Sequence, residues 1–261
     1  MPYTDNQGAH IYYEVEGQGL PLVLGHGGGD SLEMWRRTGY TDALKNNFQL
    51  VLFDFPGHGR SERSDGSGQH QFGSSDAVLA VLDTLRIDKA HYYGYSAGAS
   101  AGFNLALHHP DRFFSFILGG MTPYAWPETM VKAVKISIEL YRMLLESPEL
   151  YLMRMSQMLG RPLTQDDREH FLNQDAEARI AGLTALISGP VLTDEDLAGI
   201  SKPCLIYCGE LDPFHPGAKS AAEHIPGSTF LSLPGMNHIS ALAQRDLVLP
   251  RIIEFLIYAV E

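Results

Sequence analysis

The stretch Gly94-Tyr95-Ser96-Ala97-Gly98 sets one serine between two glycines. Before it, His91 to Tyr93 is a short β-favouring run. After it, Ala97, Ala99, Ala101, Leu105, Ala106 and Leu107 read as a helix of small residues. On a strand–turn–helix, G-x-S-x-G is a nucleophile elbow: the turn holds the serine at a strained backbone position and lifts its Oγ clear of the sheet. Gly94 and Gly98 stand where a Cβ would crowd the neighbouring helix and strand. The Ala97 N–H falls at a helix N-terminus, where negative charge is favoured. An ordinary Gly/Ser loop has the same spacing. A serine hydroxyl is a poor nucleophile until a base takes its proton, so the chain must also supply a base, an acid to orient it, and donors for an oxyanion.

Three further stretches supply them. Gly25-His26-Gly27-Gly28-Gly29-Asp30 follows the strand-like run Leu20 to Leu24. No Lys-Ser/Thr closes it as a P-loop and no G-x-G-x-x-G opens a helix, whereas His-Gly-Gly-Gly after a strand is the oxyanion type of loop that accompanies an elbow. Asp212 follows the run Pro203 to Cys208, and His238 follows Ser228 to Leu233. Ser96, Asp212 and His238 thus each lie just past a strand's C-terminal end, and a parallel sheet brings all three to one edge. The order Ser…acid…His belongs to one fold's arrangement of the triad. His26, His58, His215 and His224 lack the last-strand position. Asp54 and His58 lie in Asp54-Phe55-Pro56-Gly57-His58-Gly59-Arg60-Ser61, which reads as a structural turn. Glu210 is the rival acid.

The elements that must position these residues alternate. Strands are expected at His10 to Val15, Leu20 to Leu24, Gln49 to Phe53, the elbow strand, Phe113 to Leu118, Pro203 to Cys208 and Ser228 to Leu233. Helices are expected at Ser31 to Asn46, Ser75 to Leu85, after the elbow as far as His108-His109-Pro110, and Ile239 to Tyr258. Ser64 to His70 reads as a polar loop, and a polar segment precedes Ser228. Strand–helix alternation implies a mostly parallel sheet with helices on both faces. From 123 to 193 it stops. Helices at Pro127 to Glu146, Pro148 to Leu159, Thr164 to Asn173 and Ala176 to Ile187 make a helical insertion, with Thr164 to Asp167 as a capping box. The insertion leaves after one strand and returns before the next, so it is expected as a cap over the strand ends, where ligands bind in open α/β sheets. The division expected is a core of 1–122 with 194–261 and a cap of 123–193.

The 261 residues suit one α/β domain with an insertion. A net charge of −12 argues against nucleic acid and anionic membranes as partners. No apolar run reaches the roughly 18 residues of a membrane span, and the N-terminus lacks a basic stretch followed by an apolar one, so neither a signal peptide nor a membrane anchor is expected. Cys204 and Cys208, four apart on one strand, are too distant for a disulfide and read as reduced thiols of a cytoplasmic protein. No Cys/His spacing suggests a metal.

Together, His26-Gly27-Gly28-Gly29, Asp54 to Ser61, Gly94 to Gly98, Gly209 to Asp212 and Pro234 to His238 resemble the capped members of the α/β-hydrolase fold superfamily, over essentially the whole chain. Ala99 departs from the glycine most members carry there. The resemblance implies Ser96 as nucleophile, His238 as base, Asp212 as orienting acid (it matches the family's Gly-x-x-Asp), and the N–H groups of Gly28 and Ala97 as the oxyanion hole. A serine nucleophile sets the chain apart from members that attack with aspartate. What remains is acyl transfer to water without cofactor or metal, on a small or medium, mostly neutral ester or lactone. Alternatives are C–C bond cleavage of β-diketone-like compounds, perhydrolase activity, or a ligand receptor that keeps its triad. Tyr124, Trp126 and Tyr141 are candidate pocket residues; the alternative is that each simply packs cap against core. The oligomeric state is left open.

Overall fold

The computed structural model describes residues 2–62, 75–189 and 191–259. The loop expected from Ser64 to His70 lies outside the described residues. Among these, eight strands form one sheet: β1 (Tyr3–Asn6), β2 (Ala9–Glu16), β3 (Leu20–Gly25), β4 (Phe48–Phe53), β5 (Ala90–Tyr95), β6 (Phe113–Gly119), β7 (Cys204–Gly209) and β8 (Thr229–Leu233). Their order is β1-β2-β4-β3-β5-β6-β7-β8. β2 pairs antiparallel with β1 and β4, and every pairing from β4 to β8 is parallel. The chain crosses from β3 to β4 and returns to the other side of β3 as β5. That reversal sets the ends of β3 and β5 side by side, Gly25 opposite Gly94, at the kind of switch point where ligands bind in such sheets.

The helices are α1 (Glu33–Arg37), α2 (Tyr40–Leu44), α3 (Ser75–Thr84), α4 (Ala97–His108), α5 (Glu128–Glu146), α6 (Pro148–Leu159), α7 (Gln165–Leu172), α8 (Ala176–Ser188), α9 (Asp194–Ala198), α10 (His215–His224), α11 (His238–Ala243) and α12 (Arg245–Tyr258). Alternate strand residues, among them Leu22, Leu24, Leu50, Leu52, Tyr93, Tyr95, Leu205 and Tyr207, face Trp35, Tyr40 and Leu44 near the start of the chain and Val248, Ile252 and Leu256 of α12. On the opposite face α3 packs on β1 and β2, α4 on β3, β5 and β6, and α10 on β7 and β8.

Several expectations are corrected. β1 was not expected: Tyr-Thr-Asp-Asn is short and half polar, and it is held by pairing with β2. The helix expected over 31–46 is two, because Gly39 takes φ +76 and its N–H donates to the Arg36 carbonyl at 2.9 Å, closing α1 before α2 begins. The final helix is also two, broken at Gln244. The polar segment before β8 holds α10. Its buried face is Ala218 and Ala221, too small to leave an apolar stripe in the sequence.

The chain divides into two compact units, Met1–Ala125 with Pro190–Glu261, and Trp126–Gly189. The second comprises α5 to α8 with an apolar cluster of its own, Leu144, Tyr151 and Ala176. It is narrower than the expected 123–193 because the stems belong to the first unit. There the Leu192 N–H donates to the Pro123 carbonyl at 3.0 Å, and the Tyr124 hydroxyl donates to Asp194 Oδ1 at 2.6 Å. α7 opens on the expected Thr164–Asp167 capping box, and α9 on a second, Thr193 with Asp196.

Candidate active site

β5 runs into α4 with only Ser96 between them. Ser96 has φ 55 and ψ −116. Among the described residues only Gln7 and Arg86 share a positive φ without being glycine. Such strain costs on the order of 1–3 kcal/mol and persists only where the surroundings enforce it. Here the Ser96 N–H donates to the Gly119 carbonyl at the end of β6 (2.8 Å), and the Ser96 carbonyl accepts from the Ser100 N–H (3.0 Å). A Cβ on Gly94 would fall onto the Gly98 carbonyl and 2.7 Å from the Ala99 nitrogen; one on Gly98 would fall onto the Gly25 carbonyl and 3.0 Å from that of His26. Strand, helix and neighbouring strand can close only on glycine. Ala99, at the position where a glycine is usual in the resembling family, is accommodated fully buried.

The structure brings His238 to this serine. Its Nε2 lies 3.0 Å from Ser96 Oγ, and its Nδ1 2.6 Å from Asp212 Oδ2. A proton on Nδ1, donated to the carboxylate, leaves Nε2 as the acceptor facing the hydroxyl. The Asp212 side chain is fully buried, and its Oδ1 accepts the Phe214 N–H at 3.0 Å. The imidazole packs against the rings of Tyr95 (5.4 Å) and Phe214 (5.9 Å). Burial, with the Asp212 charge adding to it, pushes the Cys208 thiol up, so a neutral thiol borders the acid. Glu210 is turned away and accepts from Ser232 Oγ at 3.1 Å.

Two groups that sequence reasoning missed fix the histidine's backbone. Asn237 caps α11: its Oδ1 accepts the N–H groups of Ile239 (3.1 Å) and Ser240 (2.9 Å), while its own N–H donates to Ser240 Oγ (2.8 Å). The Asn-x-x-Ser spacing is a capping signal readable in sequence. The second is a set of buried tyrosines. Tyr95 donates to the His238 carbonyl, and Tyr40 donates to the Leu242 carbonyl at 3.2 Å. Both ends of the short helix carrying the histidine are thereby tied to the core, and no local pattern announces it.

Of the glycine loop after β3, Gly27 is buried, and a Cβ there would lie 3.6 Å from Ser96 Cβ; Gly28, the next residue, is exposed. His26 is structural. Its Nε2 accepts the Phe55 N–H (3.0 Å) and its Nδ1 donates to the Gly27 carbonyl (2.8 Å). Burial pushes its pKa down to about 3, so the ring is neutral. Asp54 staples two loops, accepting the N–H groups of Leu32 (2.7 Å) and Arg60 (2.8 Å). His215 pairs with Ser232 Oγ at 2.9 Å and His224 with the Ser220 carbonyl at 2.9 Å. Among the described residues no group of three or more His, Cys, Asp or Glu is placed to hold a metal ion, and no helix is long and apolar enough to cross a membrane.

The three candidate pocket residues are not brought together in one compact unit. Tyr124 belongs to the first and is tied at the stem to Asp194. Trp126 and Tyr141 belong to the second, where Tyr141 packs on the Leu144, Tyr151 and Ala176 cluster.

Residues 21–157 match the alpha/beta hydrolase fold family. A relative from Azorhizobium caulinodans, bearing a provisional carbamate-hydrolase name, is 35% identical over 118 residues, which span 45% of this chain and only 43% of that protein. The 3-oxoadipate enol-lactonase 1 of Acinetobacter baylyi is 26% identical over 80% of this chain and 79% of its own. The crystal structure of an enol-lactonase from Burkholderia xenovorans superposes with a TM-score of 0.75 over 98% of this chain and 99% of that one, at 24% identity, a likeness of fold.

Two outcomes are expected here. Gly98→Ala drives a methyl group into the Gly25 backbone and should lower stability by about 1–3 kcal/mol, as overpacking does, read by urea unfolding. The neutral His26 sets a pH dependence. Unfolded, it gains a proton below about 6.5; folded, it does not until about 3, so the unfolded chain holds the extra proton and stability falls as pH drops through that window, by up to about 1.4 kcal/mol per pH unit. His91, pushed down to about 4 by burial, acts in the same direction. Urea unfolding of wild type and His26→Asn from pH 7.5 to 4.5 should give a shallower slope for the variant. Parallel slopes would show that His26 is not held neutral.

Proposed function

The chain belongs to the alpha/beta hydrolase fold family, and we propose that within it the protein is a cofactor-independent serine hydrolase of small or medium, mostly neutral carboxylic esters or lactones. The observation that carries this reading is His238, bridging Asp212 at 2.6 Å and Ser96 at 3.0 Å. Ser96 Oγ attacks the carbonyl carbon while His238 Nε2 takes its proton. The backbone N–H groups of Gly28 and Ala97 hold the oxyanion, an effect of roughly 3–4 kcal/mol per donor in such sites. Collapse expels the alcohol, or opens the lactone, with His238 returning the proton. Water, activated by the same imidazole, then releases the acid from Ser96. Asp212 keeps the ring in the reactive tautomer and stabilises its charged form.

Neutral substrates are favoured because the loops after β3, β5, β6, β7 and β8, 26–30, 95–98, 120–125, 209–215 and 234–239, contain no lysine or arginine; of the two arginines that follow β4, Arg60 pairs with Glu14 at 3.2 Å. The enol-lactonase name of the Acinetobacter baylyi relative supports an ester or lactone bond. A fluorophosphonate probe is expected to label Ser96 alone, and Ser96→Ala to abolish labelling. Asp212→Asn should keep the fold and lower turnover by roughly 10⁴, with Glu210→Gln mild. Label on Ser61 or Ser100, or a large loss with Glu210→Gln only, would refute the assignment. A protein that cleaves a vinylogous diketone but no ester or lactone is instead a C–C hydrolase.

The helical unit is proposed to act as the cap that selects the acyl group. An apolar roof gains about 0.8 kcal/mol per methylene buried, roughly fourfold in binding for each carbon. Across p-nitrophenyl esters, kcat/KM should climb with acyl length and then fall. Trp126→Ala should move the maximum to longer chains with little change for acetate. A lower melting temperature with an unmoved maximum would make Trp126 a packing residue only.

A further inference from the structure

α12 closes the first unit against the β8 end of the sheet, and its outer side carries a pattern the fold itself does not use. Val248, Ile252 and Leu256 are buried, whereas Leu247 and Tyr258 are 55% and 65% exposed. Arg251 and Glu254 are exposed between them and pair along the helix at 3.4 Å. At 3.6 residues per turn, 247, 251, 254 and 258 fall within about 60° of one another. The stripe is complementary to its own reverse: read backwards against itself, Leu247 meets Tyr258 and Arg251 meets Glu254. A groove of about 450 Å³ opens along it, walled by Leu205, Leu231 and Phe255 and by Arg251, Glu254 and Tyr258 of the stripe itself. β8 ends the sheet, and among the described residues no strand pairs with its outer edge.

We infer that this face binds a second copy of the chain, the two α12 helices packing antiparallel about a twofold axis between residues 252 and 253. A twofold axis sets one patch against itself in reversed order, and reversal is the operation under which this stripe matches. Two crossed Arg251–Glu254 pairs lie at its centre. They oppose the repulsion between chains of net charge −12 and fix the orientation, since parallel helices would set arginine on arginine. α12 is about 21 Å long, too short to bury the roughly 1,200–2,000 Å² of a stable interface alone. The groove and the β8 edge complete the contact, and association depends on concentration.

Sedimentation equilibrium of the full chain from about 1 to 200 μM should show a monomer–dimer equilibrium with the dimer populated at tens of micromolar. Arg251→Glu and Glu254→Arg each set like charges across the axis and should weaken it by about tenfold or more, and the double reversal should restore it. Far-ultraviolet circular dichroism should be the same for all three. A chain that stays monomeric throughout the range, or a dimer that ignores both single reversals, overturns the inference.

Discussion

The contact of β3, β5 and α4 through bare glycine backbone is the constraint from which the rest of the site follows. Gly25, Gly94 and Gly98 leave no room for a side chain, and the Tyr92 hydroxyl fills the remaining gap, donating to the Gly98 carbonyl at 2.8 Å. With strand and helix this close, the single residue joining them has no relaxed conformation, and Ser96 takes φ 55. His238 meets its hydroxyl at 3.0 Å, and the histidine's own backbone is tied down in turn.

The tying is done by polar groups inside an apolar core. Tyr40, Tyr93, Tyr95 and Tyr207 are almost wholly buried, and a buried hydroxyl is costly unless it is paired. Tyr93 and Tyr207 bond each other at 2.6 Å, and Tyr95 and Tyr40 hold carbonyls at the two ends of α11. Burial pushes all four phenols up, Tyr93, Tyr95 and Tyr207 well above their usual range, so they remain neutral donors. Asp212 is the buried acid in contact with His238. Its oxygens accept from the imidazole and from the Phe214 N–H, the partnering that a buried carboxylate requires.

The elbow was legible in the sequence because a five-residue spacing encodes it, and the edge on which Ser96, Asp212 and His238 meet was legible because each follows a strand-like run. The parallel sheet and the helical insertion followed from alternation and its interruption. What was hidden depended on distance or on small residues. Tyr93 meets Tyr207 across 114 positions, which no local window contains. α10 buries alanines, so its amphipathic signal is faint. The breaks at Gly39 and Gln244 interrupt apolar spacing that would otherwise run on.

The stems have a consequence for chain entropy. Leu192 bonds to Pro123 and Tyr124 to Asp194 within the first unit, so the ends of the intervening segment are held together whatever it contains. Closing a loop costs only about 0.6 kcal/mol more for each doubling of its length. Lengthening, shortening or replacing the helices between such pinned ends burdens the sheet very little. The segment between the stems is therefore the part whose variation the fold tolerates most cheaply, while the glycine contacts beneath the serine tolerate almost none.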